Sequence, residues 1–135
     1  MTSLMMFTLP DGTKFLSLGD FEEEQQAPLF EYLDESVLKC DIVTIAHHGY
    51  NEVEATYSAA QAKYALWSNH TSDGFDKGFL GTGASWQYTR AQKIIGWLKS
   101  ANNNIQPNIY YAGVHTVKLT CVNGTITATT TTPVY

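Results

Sequence analysis

The sequence predicts an α/β fold: a mixed β-sheet with flanking helices, layered into a single domain over residues 1–135. Three observations carry this reading. Strand-like and helix-like segments alternate through the middle of the chain. The segment from Leu38 to Ala46 is a nearly continuous apolar run, as expected of a strand covered on both faces. Turn sequences near the two ends, Pro10-Asp11-Gly12 and Asn123-Gly124, mark hairpins. A chain of 135 residues can bury about 70% of the surface it exposes when unfolded, which is enough for a self-sufficient core.

Taken in order, Ser3 to Leu9 is rich in β-compatible residues, breaks at Pro10-Asp11-Gly12 and gives way to an apolar pattern from Thr13 to Leu18. That predicts a hairpin, ended by Gly19-Asp20. In FEEEQQAPLFEYLDE, helical spacing turns Phe21, Leu29, Phe30 and Leu33 toward a core, and Glu22, Glu23 and Glu24 suit the positive end of a helix. Pro28 belongs near a helix start or at a break, so two short helices are an alternative to one. After the run Leu38 to Ala46, EVEATYSAAQA reads as a helix and KYALWS as a strand. Residues 71–84, TSDGFDKGFLGTGA, form the longest predicted loop, and its Phe75 and Phe79, with Trp86, are candidates to wall a cleft or simply to pack.

Ser85 to Ala101 is the best-marked helix, with Ala91, Ile94, Ile95 and Leu98 at helical spacing and Asn102 to Asn104 ending it. NIYYAG, HTVKLTCV and TITATTTT complete the chain as strands, the last two joined by Asn123-Gly124. The predicted order is ββαβαβαβββ. Parallel strands connected through helices gather functional groups where the strands end. Asp20 and the pair His47-His48 lie at such places.

The composition narrows the partners. A net charge of −5, with only eight scattered Lys and Arg residues, argues against a surface that tracks the phosphates of nucleic acid or binds anionic lipid. No apolar run approaches the roughly 20 residues that span a bilayer, and MTSLMMFTLPDG lacks a basic segment and a cleavage site, so the piece reads as soluble. Cys40 and Cys121 lack the paired spacing of a zinc ribbon or a redox motif and are expected as free thiols.

The candidate chemistry lies in Gly19-Asp20 and His47-His48-Gly49. If the strands before them are neighbours, Asp20 and His47 converge on one point, and a carboxylate with one or two imidazoles is a donor set that Zn²⁺ accepts. Gly49 would let the backbone turn sharply there. Simpler roles exist for each: Asp20 as the N-cap of the following helix, and the histidines as hydrogen-bonded residues of the sheet rim.

The succession DGTKFLSLGDFEEE, a helical stretch, LKCDIVTIAHHGYNE and KYALWS resembles the C-terminal half of metallo-β-lactamase-fold hydrolases. The branch it is most similar to carries an HHG motif and includes the hydrolase domain of ComEC-type DNA-uptake proteins and related phosphodiesterases. The likeness extends over nearly the whole chain and is most specific at Gly19-Asp20 and His47-His48-Gly49. It implies half of an αββα sandwich that, when complete, holds up to two zinc ions. It also implies that Asp20 bridges the metals, that His47 is the last histidine ligand, and that His48 lies beside it or touches the substrate, with the two histidines able to exchange roles. Asp20 and His48 are then the candidate catalytic residues, and Asp20 and His47 the candidate metal ligands. His70 and His115 match no motif of that family.

The family's His-x-His-x-Asp-His run is absent, as is the histidine that normally precedes the Gly-Asp strand. Two or three donors should hold zinc weakly or not at all. The chain is therefore expected to be a fragment, or a natural half-protein, whose partner is the missing N-terminal half of the fold and whose substrate is a phosphodiester or other small molecule. A half-sandwich leaves an apolar sheet face uncovered, which predicts a homodimer through that face. The competing function is a non-catalytic interaction module that keeps the fold and binds a partner on the same face.

Overall fold

A computed structural model describes residues 3–68, 86–112 and 115–131. Five strands, β1 (Met5–Thr8), β2 (Lys14–Ser17), β3 (Ile42–Thr44), β4 (Tyr64–Trp67) and β5 (Asn108–Tyr111), form one sheet in the order β1-β2-β3-β4-β5. β1 and β2 pair antiparallel, and the remaining neighbours pair parallel. Helices α1 (Gln26–Tyr32), α2 (Glu54–Ala60) and α3 (Trp86–Ala101) lie in the three parallel connections, and β6 (Thr116–Val122) and β7 (Thr125–Thr131) form a separate antiparallel ribbon. Among the described residues the order of strands and α-helices is the one the sequence predicts, and the fold is α/β with a mixed sheet.

The topology explains the layers. Each crossover from β2 onward moves one strand in the same direction, so connections of a single hand place their helices on a single face of the sheet. That face carries Leu16, Val43, Ala65 and Trp67, and it forms the core with Tyr57, Ala60, Ala91, Ile94 and Leu98, all at or below 1% exposure.

The opposite face carries Phe7, Phe15, Ile42, Tyr64 and Leu66. Part of it is covered by the chain's own ribbon: Phe7, Phe15, Ile42 and Leu66 line one cleft together with Val117, Leu119 and Cys121, and the Tyr64 hydroxyl donates to the Ile126 carbonyl at 3.3 Å. The alternation of half-buried and exposed residues along β6 follows from that one-sided packing. The turns of the two hairpins meet as well, the Gly124 amide donating to Oδ2 of Asp11 at 3.1 Å. Met5 and Phe7 remain about half exposed at the outer edge.

Several boundaries differ from the sequence reading. The run Leu38 to Ala46 is buried at both ends, but only Ile42–Thr44 is strand; Leu38 closes a 3₁₀ turn over Glu35–Leu38, and Ala46 opens the turn Ala46–Gly49. The acidic stretch forms a 3₁₀ turn, Glu23–Gln25, running into α1, and Pro28 takes the third position of that helix, where no intrahelical donor is lost. Residues 71–84 lie outside the described residues.

Candidate functional site

The C-terminal ends of β2 and β3 are neighbours, as convergence of Asp20 and His47 requires. Phe15 lies opposite Ile42 and Leu16 opposite Val43; carried four residues further, the same register sets Asp20 opposite His47. The backbone keeps this pairing past the end of the strands, because the His47 amide donates to the Gly19 carbonyl at 2.8 Å, the bond a parallel ladder makes when 20 and 47 are partners. Neighbouring strands are spaced about 4.8 Å apart. Asp20 is exposed and His47 half-buried. The N-cap of the following 3₁₀ turn is Glu22, so Asp20 does not serve as that cap.

The segment His47-His48-Gly49 is held in a left-handed backbone throughout. His47 has φ 43°, ψ 49°, His48 has φ 57°, ψ 16°, and Gly49 has φ 94°. A non-glycine residue in this region costs on the order of 1–3 kcal/mol, and the structure around it must enforce the conformation. Packing and hydrogen bonds do so here. The Ala46 amide donates to the hydroxyl of fully buried Tyr57 at 2.9 Å. Burial pushes that hydroxyl's pKa well above the ordinary tyrosine range, so the neutral phenol is the acceptor. The Trp67 indole donates to the His48 carbonyl at 2.8 Å, and Nδ1 of His48 donates to the Ser68 carbonyl at 2.7 Å. Gly49 is buried against Trp67, so its lack of a side chain serves the packing as well as the turn.

Asn51 joins the two motifs. Its Nδ2 reaches the carbonyls of Asp20 at 3.2 Å and Phe21 at 2.8 Å, and its Oδ1 lies 3.2 Å from Nδ1 of His47. The sequence reading missed this residue, since a single loop asparagine carries no pattern.

Next to this point the loop is fastened to α3. Arg90 donates from Nε to Glu52 at 3.0 Å and from its terminal nitrogen to the Tyr50 carbonyl, and its guanidinium lies 5.2 Å from the Trp86 ring centroid. Lys93 adds a second contact to Glu52 at 3.1 Å. Burial works to raise the Glu52 pKa, but the bonds from Lys93 and Arg90 outweigh it and the net shift is downward. A polar cleft of about 280 Å³ opens here, lined by Glu22, Glu24, Tyr50, Asn51, Glu52 and Arg90. Trp86 is half exposed and its ring lies 5.7 Å from that of Tyr50.

Among the described residues, no group of three or more His, Cys, Asp or Glu side chains is placed to hold a metal ion. His115 is half-buried just before β6, its amide bonded to the Tyr111 carbonyl. His70, Phe75 and Phe79 lie outside the described residues. Cys40 is buried and Cys121 partly buried, both free thiols. No helix among the described residues is long and apolar enough to cross a membrane. Compared with protein families, with curated proteins and with solved structures, the chain finds no match.

Proposed function

We propose that this chain supplies part of a hydrolytic metal centre, with Asp20 and His47 as donors to zinc and His48 at the substrate side, and that the bond cleaved by the complete centre is a phosphodiester. The observation that carries this reading is the in-register pairing of Gly19-Asp20 with His47 on a backbone held in the left-handed region. The left-handed φ of His47 and His48 supports the reading, because backbone strain concentrates at functional positions. The substrate class rests on the resemblance of GD and HHG to the phosphodiesterase branch of the metallo-β-lactamase fold.

The donor kinds suit zinc, but their number does not make a catalytic site. At least three protein ligands are needed, and the described residues bring together fewer. Because the sequence lacks the His-x-His-x-Asp-His run of the fold's N-terminal half, the chain alone is read as inactive and the remaining donors are assigned to a further polypeptide segment corresponding to that half. A second reading, a non-catalytic interaction module, is favoured by the same shortage of donors together with the exposure of Met5 and Phe7 on the sheet's second face.

Titration calorimetry with Zn²⁺ separates these readings. Partial donation gives one weak site that disappears in both Asp20→Asn and His47→Ala. Absence of binding leaves Asp20 and His47 without a shared cation in this chain and removes the support for the proposal. Tight binding of two ions, with hydrolysis of bis(p-nitrophenyl) phosphate, would mean a complete centre in this chain and overturn the proposal.

A further inference from the structure

We infer that Asn51 is the positioning residue of the site: it fixes the tautomer of His47, so that Nδ1 carries the proton and Nε2 presents the lone pair, and it locks that ring to the Gly19-Asp20 turn. The chemistry of the amide dictates this assignment. Nδ2 of Asn51 faces two carbonyl oxygens, those of Asp20 and Phe21, at 3.2 and 2.8 Å. Carbonyls only accept, so the group pointing at them is the NH₂ and the amide has one possible orientation. The Oδ1 that remains accepts, and the atom 3.2 Å from it is Nδ1 of His47. That nitrogen is therefore the donor, and in a neutral imidazole the lone pair then sits on Nε2.

One side chain thus spans both motifs, holding the backbone that carries Asp20 with its donors and the ring of His47 with its acceptor. The arrangement is short-range in sequence, Asn51 following His47 by four residues, and long-range in space, reaching the carbonyl 31 residues earlier. For its functional meaning the inference rests on His47 as a zinc ligand; the tautomer itself does not.

The test is nitrogen-detected NMR of the His47 ring in the metal-free chain, at a pH well above the ordinary imidazole range. Wild-type His47 is expected to show a protonated Nδ1 and a bare Nε2. Asn51→Asp keeps an acceptor for Nδ1–H and should keep the tautomer, while losing both bonds to the Gly-Asp turn. Asn51→Ala should release the ring to a mixture of tautomers. A bare Nδ1 in the wild-type protein overturns the inference whether or not any variant folds, and so does an unchanged tautomer in a folded Asn51→Ala.

Addition of Zn²⁺ gives the second readout. Loss of a group that orients a ligand costs about 10- to 100-fold in metal affinity, and that loss is expected for Asn51→Ala. If the wild-type tautomer is as assigned but Zn²⁺ leaves Nε2 untouched, the role of Asn51 stands and the zinc reading fails.

Discussion

Gly49 lies so close to the indole of Trp67 that a Cβ on it would sit 2.5 Å from Cζ2 and 2.9 Å from Nε1, while that Nε1–H donates to the His48 carbonyl at 2.8 Å. The end of β3 is thereby pinned to β4 at the point where the two histidines leave the sheet. Gly49→Ala would combine overpacking against a fully buried ring with a side chain at φ 94°. We expect a loss of about 2–5 kcal/mol in urea unfolding. A loss below about 0.5 kcal/mol would mean that Trp67 yields and that the HHG turn is not enforced by packing.

The bond from the Gly124 amide to Asp11 fastens the β6–β7 ribbon to the first hairpin and is stronger when the carboxyl is ionised. Hydrogen bonds from Thr13, then from Gly124, hold the Asp11 carboxyl below its usual range. A depressed folded-state pKa contributes stability that is present above the ordinary carboxylate value and is lost as pH falls through the folded one. Protection of the Gly124 amide against hydrogen exchange should therefore fall in acid below the ordinary aspartate range. In Asp11→Asn that pH dependence should vanish. Equal profiles for the two proteins would show that the Asp11 carboxylate does not hold the ribbon.

The two thiols should separate cleanly. Burial, with Asp41 adding to it, pushes the Cys40 pKa to about 12, so almost none is thiolate at neutral pH. Cys121 is partly accessible in the cleft between ribbon and sheet. Native protein treated with iodoacetamide should be labelled at Cys121, and Cys40 should react only on unfolding. Equal labelling of both would mean that the helix-covered core opens readily.

Much of the fold was legible because its signals are local. Pro10-Asp11-Gly12 and Asn123-Gly124 announced the hairpins, the latter with both residues at positive φ, and the spacing of Ala91, Ile94 and Leu98 marked the buried stripe of α3. The length of β3 was not legible. A continuous apolar run reports burial, and Leu38 and Ala46 are buried without belonging to a strand. The alternation in β6 announced a half-buried strand, but its resting place against Phe15 and Leu66 is set by tertiary packing, and the sheet face expected to be bare is partly covered by the chain itself. Placing Asp20 and His47 at strand ends was legible, but their neighbourhood was conditional on the two strands being adjacent, which the sheet order supplies. The left-handed backbone of the histidine pair and the bridging by Asn51 were not legible, because neither leaves a mark in residue type or spacing.

The claim on which the rest depends is that Asp20 and His47 serve one cation together. It is tested most directly by titrating Zn²⁺ into isotopically labelled protein and following the Asp20 side-chain carboxyl carbon and Nε2 of His47 in the same samples. We expect both signals to move with a common midpoint, and each to become silent when the other residue is replaced, in Asp20→Asn or His47→Ala. Movement of one signal without the other, or different midpoints, would contradict the account.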